Sequence, residues 1–225
     1  MGGGVVRSFF SFDESLYQGY TIQTGSGSEV DTAAFIVPGQ ERNQWSGSVS
    51  LTSPTYRYFT ATMSLGWGRT PLFREATAGN SRQISGTIDL RPTGSLRAAV
   101  QVSRLTLHRQ RDGSRFSSET IPRLKVEYQV TRSLFLRFVG QYAARARKQL
   151  MDESGNRILV NGELDEGSTS NEFRMDWLFS YRPIPGTLVY LGYGSTLEEP
   201  GNFSFRDLRR TADGFFGKIS YVFRL

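Results

Sequence analysis

Apolar and polar positions alternate along most of this chain. In NQWSGSVSLT, Trp45, Gly47, Val49 and Leu51 fall on one face, and Ser46, Ser48, Ser50 and Thr52 on the other. Phe59, Ala61, Met63, Leu65 and Trp67 then alternate with Tyr58, Thr60, Thr62, Ser64 and Gly66, and Ile84, Gly86, Ile88 and Leu90 with Ser85, Thr87, Asp89 and Arg91. Period-two alternation over such lengths predicts β-strands, because a helix of 3.6 residues per turn scatters these positions around its surface. Leu96, Ala98, Val100 and Val102 extend the pattern; near Ser103 and Arg104 the phase moves to Leu105 and Leu107, as one inserted bulge residue would cause. PRLKVEYQV, SLFLRFVGQYAARAR, NEFRMDWLFSYRP, GTLVYLGYG and the final DGFFGKISYVFRL bring the count to nine strands within residues 43–225.

The connections sort into two kinds. Short turns are expected at Ser53-Pro54, Pro92-Thr93-Gly94, Thr131-Arg132 and Pro183-Ile184-Pro185, and long polar loops at about 69–82, 109–118, 148–170 and 195–212. Short and long in alternation is the layout of an outer-membrane barrel, with tight turns on the periplasmic rim and long loops outside. An even strand count then needs one more strand before residue 43. Residues 5–24 are the room for it, with 25–42 as another outside loop, although residues 1–42 carry the least regular pattern. No helix is suggested anywhere.

The expected fold is therefore all-β: a single antiparallel transmembrane β-barrel over residues 1–225, of about ten strands, with short periplasmic turns and long extracellular loops. Several strands alternate for about ten residues, enough to cross a bilayer at a tilt, whereas sandwich strands average about 5–6. A soluble glycan-binding β-sandwich is the minor alternative. Trp45, Trp67, Tyr142, Trp177, Tyr181, Tyr193, Tyr221 and Phe223 lie toward the ends of the apolar stripes, where girdles at the membrane interfaces would hold them. Arg123, Lys125, Glu127, Arg137, Arg145, Arg174 and Asp176 share the opposite phase and are the candidates for a lumen lining.

Composition narrows the chemistry. The 225 residues include no cysteine and one histidine, which leaves no disulfide framework and no Cys- or His-rich metal site. The net charge is +6, but the cations are spread through alternating strands and do not mass into a patch, so nucleic acid is not an expected partner. No apolar run reaches the roughly 18 residues of a membrane helix, which is no obstacle to a barrel, whose strands show lipid only alternate residues.

FRMDWLFSYRPIPGTLVYLGYG, followed by FRDLRRTADGFFGKISYVFRL, resembles the C-terminal end of a large bacterial family of unknown function, whose members carry an outer-membrane barrel behind a carbohydrate-binding-module-like domain. The likeness runs over about residues 170–225, and the sugar-binding-like domain is not among residues 1–225. It implies a barrel in the outer membrane of a Gram-negative bacterium and brings no catalytic residues. The closing strand, with Gly217, Ile219, Tyr221, Phe223 and Leu225 on one face, resembles the signal read by the barrel-assembly machinery, departing from it in ending on Leu225 instead of an aromatic. Two lengths fit the likeness: a short relative that closes its own barrel, or the C-terminal part of a longer one.

No enzymatic activity and no cofactor are expected. His108 has Ser103 and Asp112 nearby in sequence, at spacings that demand no triad. Asp152, Glu153, Glu163, Asp165 and Glu166 make an acidic loop without the regular order of a calcium site. Arg206, Arg209 and Arg210, beside Asp207, suit lipopolysaccharide phosphates or a partner subunit. Two functions follow: a transport or channel role with an arginine-lined lumen, or a non-conducting anchor or subunit of an envelope complex, its lumen charges paired into a plug.

Overall fold

The structure, a computed structural model, describes residues 1–24 and 31–222. Its strands are β1 (Gly2–Ser11), β2 (Tyr20–Thr24), β3 (Asp31–Ala34), β4 (Gln40–Thr52), β5 (Phe59–Leu72), β6 (Thr77–Leu90), β7 (Leu96–Arg109), β8 (Arg115–Gln129), β9 (Leu134–Lys148), β10 (Ile158–Val160), β11 (Glu163–Leu164), β12 (Gly167–Tyr181), β13 (Thr187–Glu198) and β14 (Arg209–Tyr221). Ten of them form one antiparallel sheet in the order β1-β4-β5-β6-β7-β8-β9-β12-β13-β14, and β11-β10-β2-β3 form a second, small one. The architecture is thus all-β and antiparallel, as the alternation predicts. Among the described residues β1 pairs only with β4 and β14 only with β13, so no pairing closes the main sheet into a ring. The short turns fall where expected, and two of them use one device. Thr93 Oγ1 accepts from the N–H groups of Ser95 and Leu96 (3.2 and 3.0 Å), and Thr131 Oγ1 from those of Ser133 and Leu134 (3.2 and 3.1 Å).

Three expectations are corrected. First, the strand placed in residues 5–24 ends at Ser11; a 3-10 turn (Glu14–Tyr17) follows, and residues 20–24 and 31–34 belong to the second sheet. Residues 25–30 of the loop expected at 25–42 lie outside the described residues. Second, the loops at 69–82 and 109–118 shrink to residues 73–76 and 110–114, because their flanks continue the ladder: Arg69 pairs with Asn80 and Leu72 with Thr77, polar though most of these residues are. Third, no bulge lies at Ser103-Arg104. β6 and β7 pair in unbroken register from Gly79–Arg109 to Leu90–Ala98, and the shift comes later, on β8, where Phe116 is the extra residue between Arg115 and Ser117. Leu105 and Leu107 therefore stay on the polar face. The phase did not slip; the chemistry of that face changes near its end. The short 3-10 turn after β1 is capped by Asp13, which accepts from the Ser15 N–H at 2.9 Å.

On β5 and β6 burial runs opposite to the usual apolar-in, polar-out order of a half-covered sheet. On β5, Met63, Leu65 and Trp67 are exposed, whereas Thr62, Ser64 and Gly66 between them are half-buried. Ile84 and Ile88 on β6 stand exposed beside half-buried Ser85 and Thr87. Exposed apolar side chains continue through Val100, Val102, Leu124, Trp177 and Leu191 to Phe215 and Ile219. The ten strands lie in one sheet, and among the described residues no second sheet of comparable size covers the apolar face as in a sandwich.

The buried core sits at one end of the polar face. Leu72, Phe116, Leu150 and Ile158 form one cluster, with Leu107, Tyr20, Ile22, Phe35 and Val160 packed against it; Phe12, Tyr17 and Ala76 form another. The small sheet and the segments around it thus cap the ends of β5, β7 and β8. Leu72 leans so closely over Gly79 that a Cβ there would come within 2.7 Å of its Cγ. Full burial of each large apolar side chain is worth about 1.5–3 kcal/mol, so the cap is held by its core before any polar contact is counted.

Candidate functional site

The polar face divides into two walls. On β4, β5 and β6 the register lines up Ser50, Ser64 and Ser85 in one row, and Thr52, Thr62 and Thr87 in the next. Ser48, Gly66 and Gln83 continue on the other side. These side chains are small or uncharged. On β7 to β12 the rows carry long charged groups: Arg97, Glu127 and Arg137; then Lys125, Val139 and Asp176; then Arg123, Gln141 and Arg174. All seven lumen candidates, Arg123, Lys125, Glu127, Arg137, Arg145, Arg174 and Asp176, share this phase, because each stands an even number of residues from its neighbours on the same strand.

Among the described residues their pairing is local and does not form the closed network of the plug reading. Glu127 bonds to Lys125 on its own strand (2.8 Å) and not to an arginine across it; Arg145 pairs with Glu119 (2.5 Å) and Arg174 with Glu172 (2.5 Å). Glu119 and Glu172 were missed by the sequence reading. The signal was there, since Glu119 lies on the same phase as Arg123 and Glu172 two residues before Arg174. These pairs are partly exposed, so each is worth only about 0–1 kcal/mol; they hold side chains in place more than they stabilise. Arg123, Arg137 and Asp176 have no ion-pair partner among the described residues. With Lys125 and Leu178 they line a groove of about 620 Å³.

Where the polar face meets the cap, a buried ion pair joins three connections. Glu75, in the 73–76 turn, and Arg109, the last residue of β7, are 1% and 4% exposed. Arg109 donates through Nε (3.1 and 2.9 Å) and Nη2 (2.5 Å) to the carboxylate, through Nη2 to the Gln149 carbonyl (2.7 Å) and through Nη1 to Ser114 Oγ (3.3 Å). The Met151 N–H donates to Glu75 Oε1 at 2.8 Å. Nearby, Asp165 is held by Arg147 (2.8 Å) and Arg74 (2.9 Å), and accepts from the Gly167 N–H at 2.9 Å. Burial pushes the Asp165 carboxyl up, but these bonds and the two guanidinium charges outweigh it and hold it below the ordinary carboxylate range. Tyr17 ties the cap to the same turn, donating to the Phe73 carbonyl at 2.6 Å.

The other candidates fall as follows. Trp45, Trp67, Trp177, Tyr181 and Tyr221 are exposed, Tyr193 is half-buried against Phe215, and Phe223 and Leu225 lie outside the described residues. Tyr142 is corrected: it lies 2% exposed beneath Phe203 and Phe205 of the 199–208 connection, not displayed at a rim. Gly217, Ile219 and Tyr221 do share one face of β14. His108 and Ser103 stand on opposite faces of β7, five positions apart, and Asp112 is bonded to Ser114 N–H (2.9 Å) and Arg111 (3.4 Å). Asp152 accepts from the backbone and side-chain nitrogens of Asn156 (2.7 and 2.9 Å), and no group of three acidic or histidine side chains suited to a metal occurs among the described residues. No helix of the described residues is long and apolar enough to cross a membrane.

No protein-family model matches the chain, and the searches of curated proteins and of solved structures return no match.

Proposed function

We propose that this chain is an outer-membrane β-barrel of a Gram-negative bacterium, in which β14 meets β1, the apolar face contacts lipid and the polar face lines a lumen that passes small anions. One observation carries the reading: on β5 and β6 apolar side chains are exposed while the hydroxyls between them are half-buried, and exposed apolar side chains continue along the sheet to β14, an inversion that water disfavours and a bilayer rewards. Strand lengths agree. β5 to β7 have 14 residues each and β8, β9 and β12 have 15, against the roughly 9–11 that a tilted strand needs to span the hydrocarbon, so each projects beyond it. The resemblance of residues 170–225 to outer-membrane barrel ends belongs to the same reading, as does recognition of the last strand by the barrel-assembly machinery.

Anion preference rests on Arg123 and Arg137, which have no ion-pair partner among the described residues and outnumber the one unpaired carboxylate of the groove, Asp176, as rings of positive side chains select anions elsewhere. Protein folded into planar bilayers is expected to give discrete, anion-selective steps, and Arg123→Ala with Arg137→Ala to move the reversal potential in a salt gradient toward cation preference while leaving folding intact. The cap favours a second reading, a non-conducting anchor or subunit of an envelope complex, since it covers one end of the polar face with a packed core. Silence from correctly folded protein would select that reading over the channel.

A further inference from the structure

The connection between β13 and β14 is built more firmly than a surface loop requires. The Glu199 carboxylate accepts from the Tyr142 hydroxyl, from Ser204 N–H and Oγ (3.2 and 2.7 Å) and from Phe205 N–H (2.8 Å). The Tyr142 hydroxyl in turn accepts from Phe203 N–H at 2.8 Å, and Asn171 Nδ2 donates to the carbonyls of Glu199 and Pro200 (3.4 Å each). This knot holds Phe203 and Phe205 at φ of 54° and 52°, a left-handed conformation that costs non-glycine residues energy. Both rings pack on Tyr142, at centroid distances of 4.3 and 5.2 Å, and both remain substantially exposed. They sit at the end of the apolar stripe that runs up β9 from Leu134 to Tyr142, a rise of about 27 Å along the strand and about 20 Å along a barrel axis at the usual tilt. Beyond the rings the chain turns cationic. Arg206 and Arg209 are exposed and have no ion-pair partner among the described residues, and Arg210 bonds to Asp213 at 3.2 Å.

We propose that this lip binds the phosphate groups of lipid A in the outer leaflet. Phe203 and Phe205 enter the top of the acyl layer, and Arg206 and Arg209 donate to phosphate oxygens at the headgroup level. The proposal rests on the outer-membrane reading and not on conduction. Its chemistry is a pair of guanidinium forks held next to an apolar anchor, which suits a phosphate attached to acyl chains better than a free ion.

The test is native mass spectrometry of the folded protein in detergent, titrated with lipid A, with its monophosphorylated form and with phosphatidylglycerol. Lipid A adducts are expected to fall about tenfold in the Arg206→Ala, Arg209→Ala double variant, and to be unchanged in Arg132→Ala at the opposite end of the sheet. Monophosphorylated lipid A is expected to bind more weakly than the parent. Equal loss in Arg132→Ala, equal binding of phosphatidylglycerol, or full displacement by millimolar inorganic phosphate would each overturn the proposal. Insertion into phosphatidylcholine nanodiscs is scored separately. If the wild type does not insert, the barrel reading fails and this proposal with it; if every variant inserts and binds lipid A alike, this proposal alone fails.

Discussion

Glu75→Ala is expected to lower stability by about 3–5 kcal/mol, because it leaves the Arg109 guanidinium buried without a counter-charge. Little water reaches the site to compensate, with both side chains nearly fully buried. The damage spreads, since the same carboxylate fixes the Met151 N–H and the same guanidinium fixes the Gln149 carbonyl and Ser114. The 149–157 segment is therefore expected to become the first site of proteolytic nicking. Urea titration and limited proteolysis of wild type and variant measure both effects. Removing both charges with Glu75→Ala and Arg109→Met is expected to recover part of the loss, because the apolar replacement suits its neighbour Phe116. If Glu75→Ala alone unfolds like the wild type, the pair is not what holds the cap.

The second large effect separates lipid from water. Val100 stands in the middle of β7, flanked in register by Ile88 and Leu124 on the apolar face. In water Val100→Arg would change little, within about 0.5 kcal/mol, since the position is already exposed. In a bilayer it is expected to cost about 2–4 kcal/mol. Gln101→Arg, one residue along and on the opposite face, is expected to be tolerated. The folded fraction of each variant in phosphatidylcholine vesicles, followed by heat-modifiable gel mobility across a urea series, gives the two numbers.

The repeating part of this molecule could be read from its sequence, and the part that closes it could not. Alternation located strands from Trp45 to Tyr221 and put the seven charged candidates on one face, because register is fixed by a period of two and needs no knowledge of partners. The cap escaped because its core is assembled from Phe12, Leu72, Phe116, Leu150 and Ile158, which lie far apart in sequence and follow no period. Leu105 and Leu107 show the same limit. Two leucines on a polar phase looked like a bulge, when the register is unbroken and the second of them, Leu107, packs against the core of the cap. Polar composition also misled at Arg69–Leu72 and Thr77–Arg82, which read as loop yet pair in the ladder. Tyr142 kept its predicted phase, but an aromatic lip more than fifty residues later covers it, a contact no local pattern encodes.

The central claim is that alternate faces of one sheet meet lipid and a watery interior. Because the chain has no cysteine, any introduced thiol reports alone. Single variants Thr62→Cys, Met63→Cys, Ser64→Cys and Leu65→Cys on β5, folded into lipid vesicles, can be treated with a small water-soluble thiosulfonate reagent added to both sides. Reaction at positions 62 and 64 with protection at 63 and 65, lost when urea unfolds the protein, is the predicted result. Equal reaction at all four, or faster reaction at 63 and 65, would contradict it.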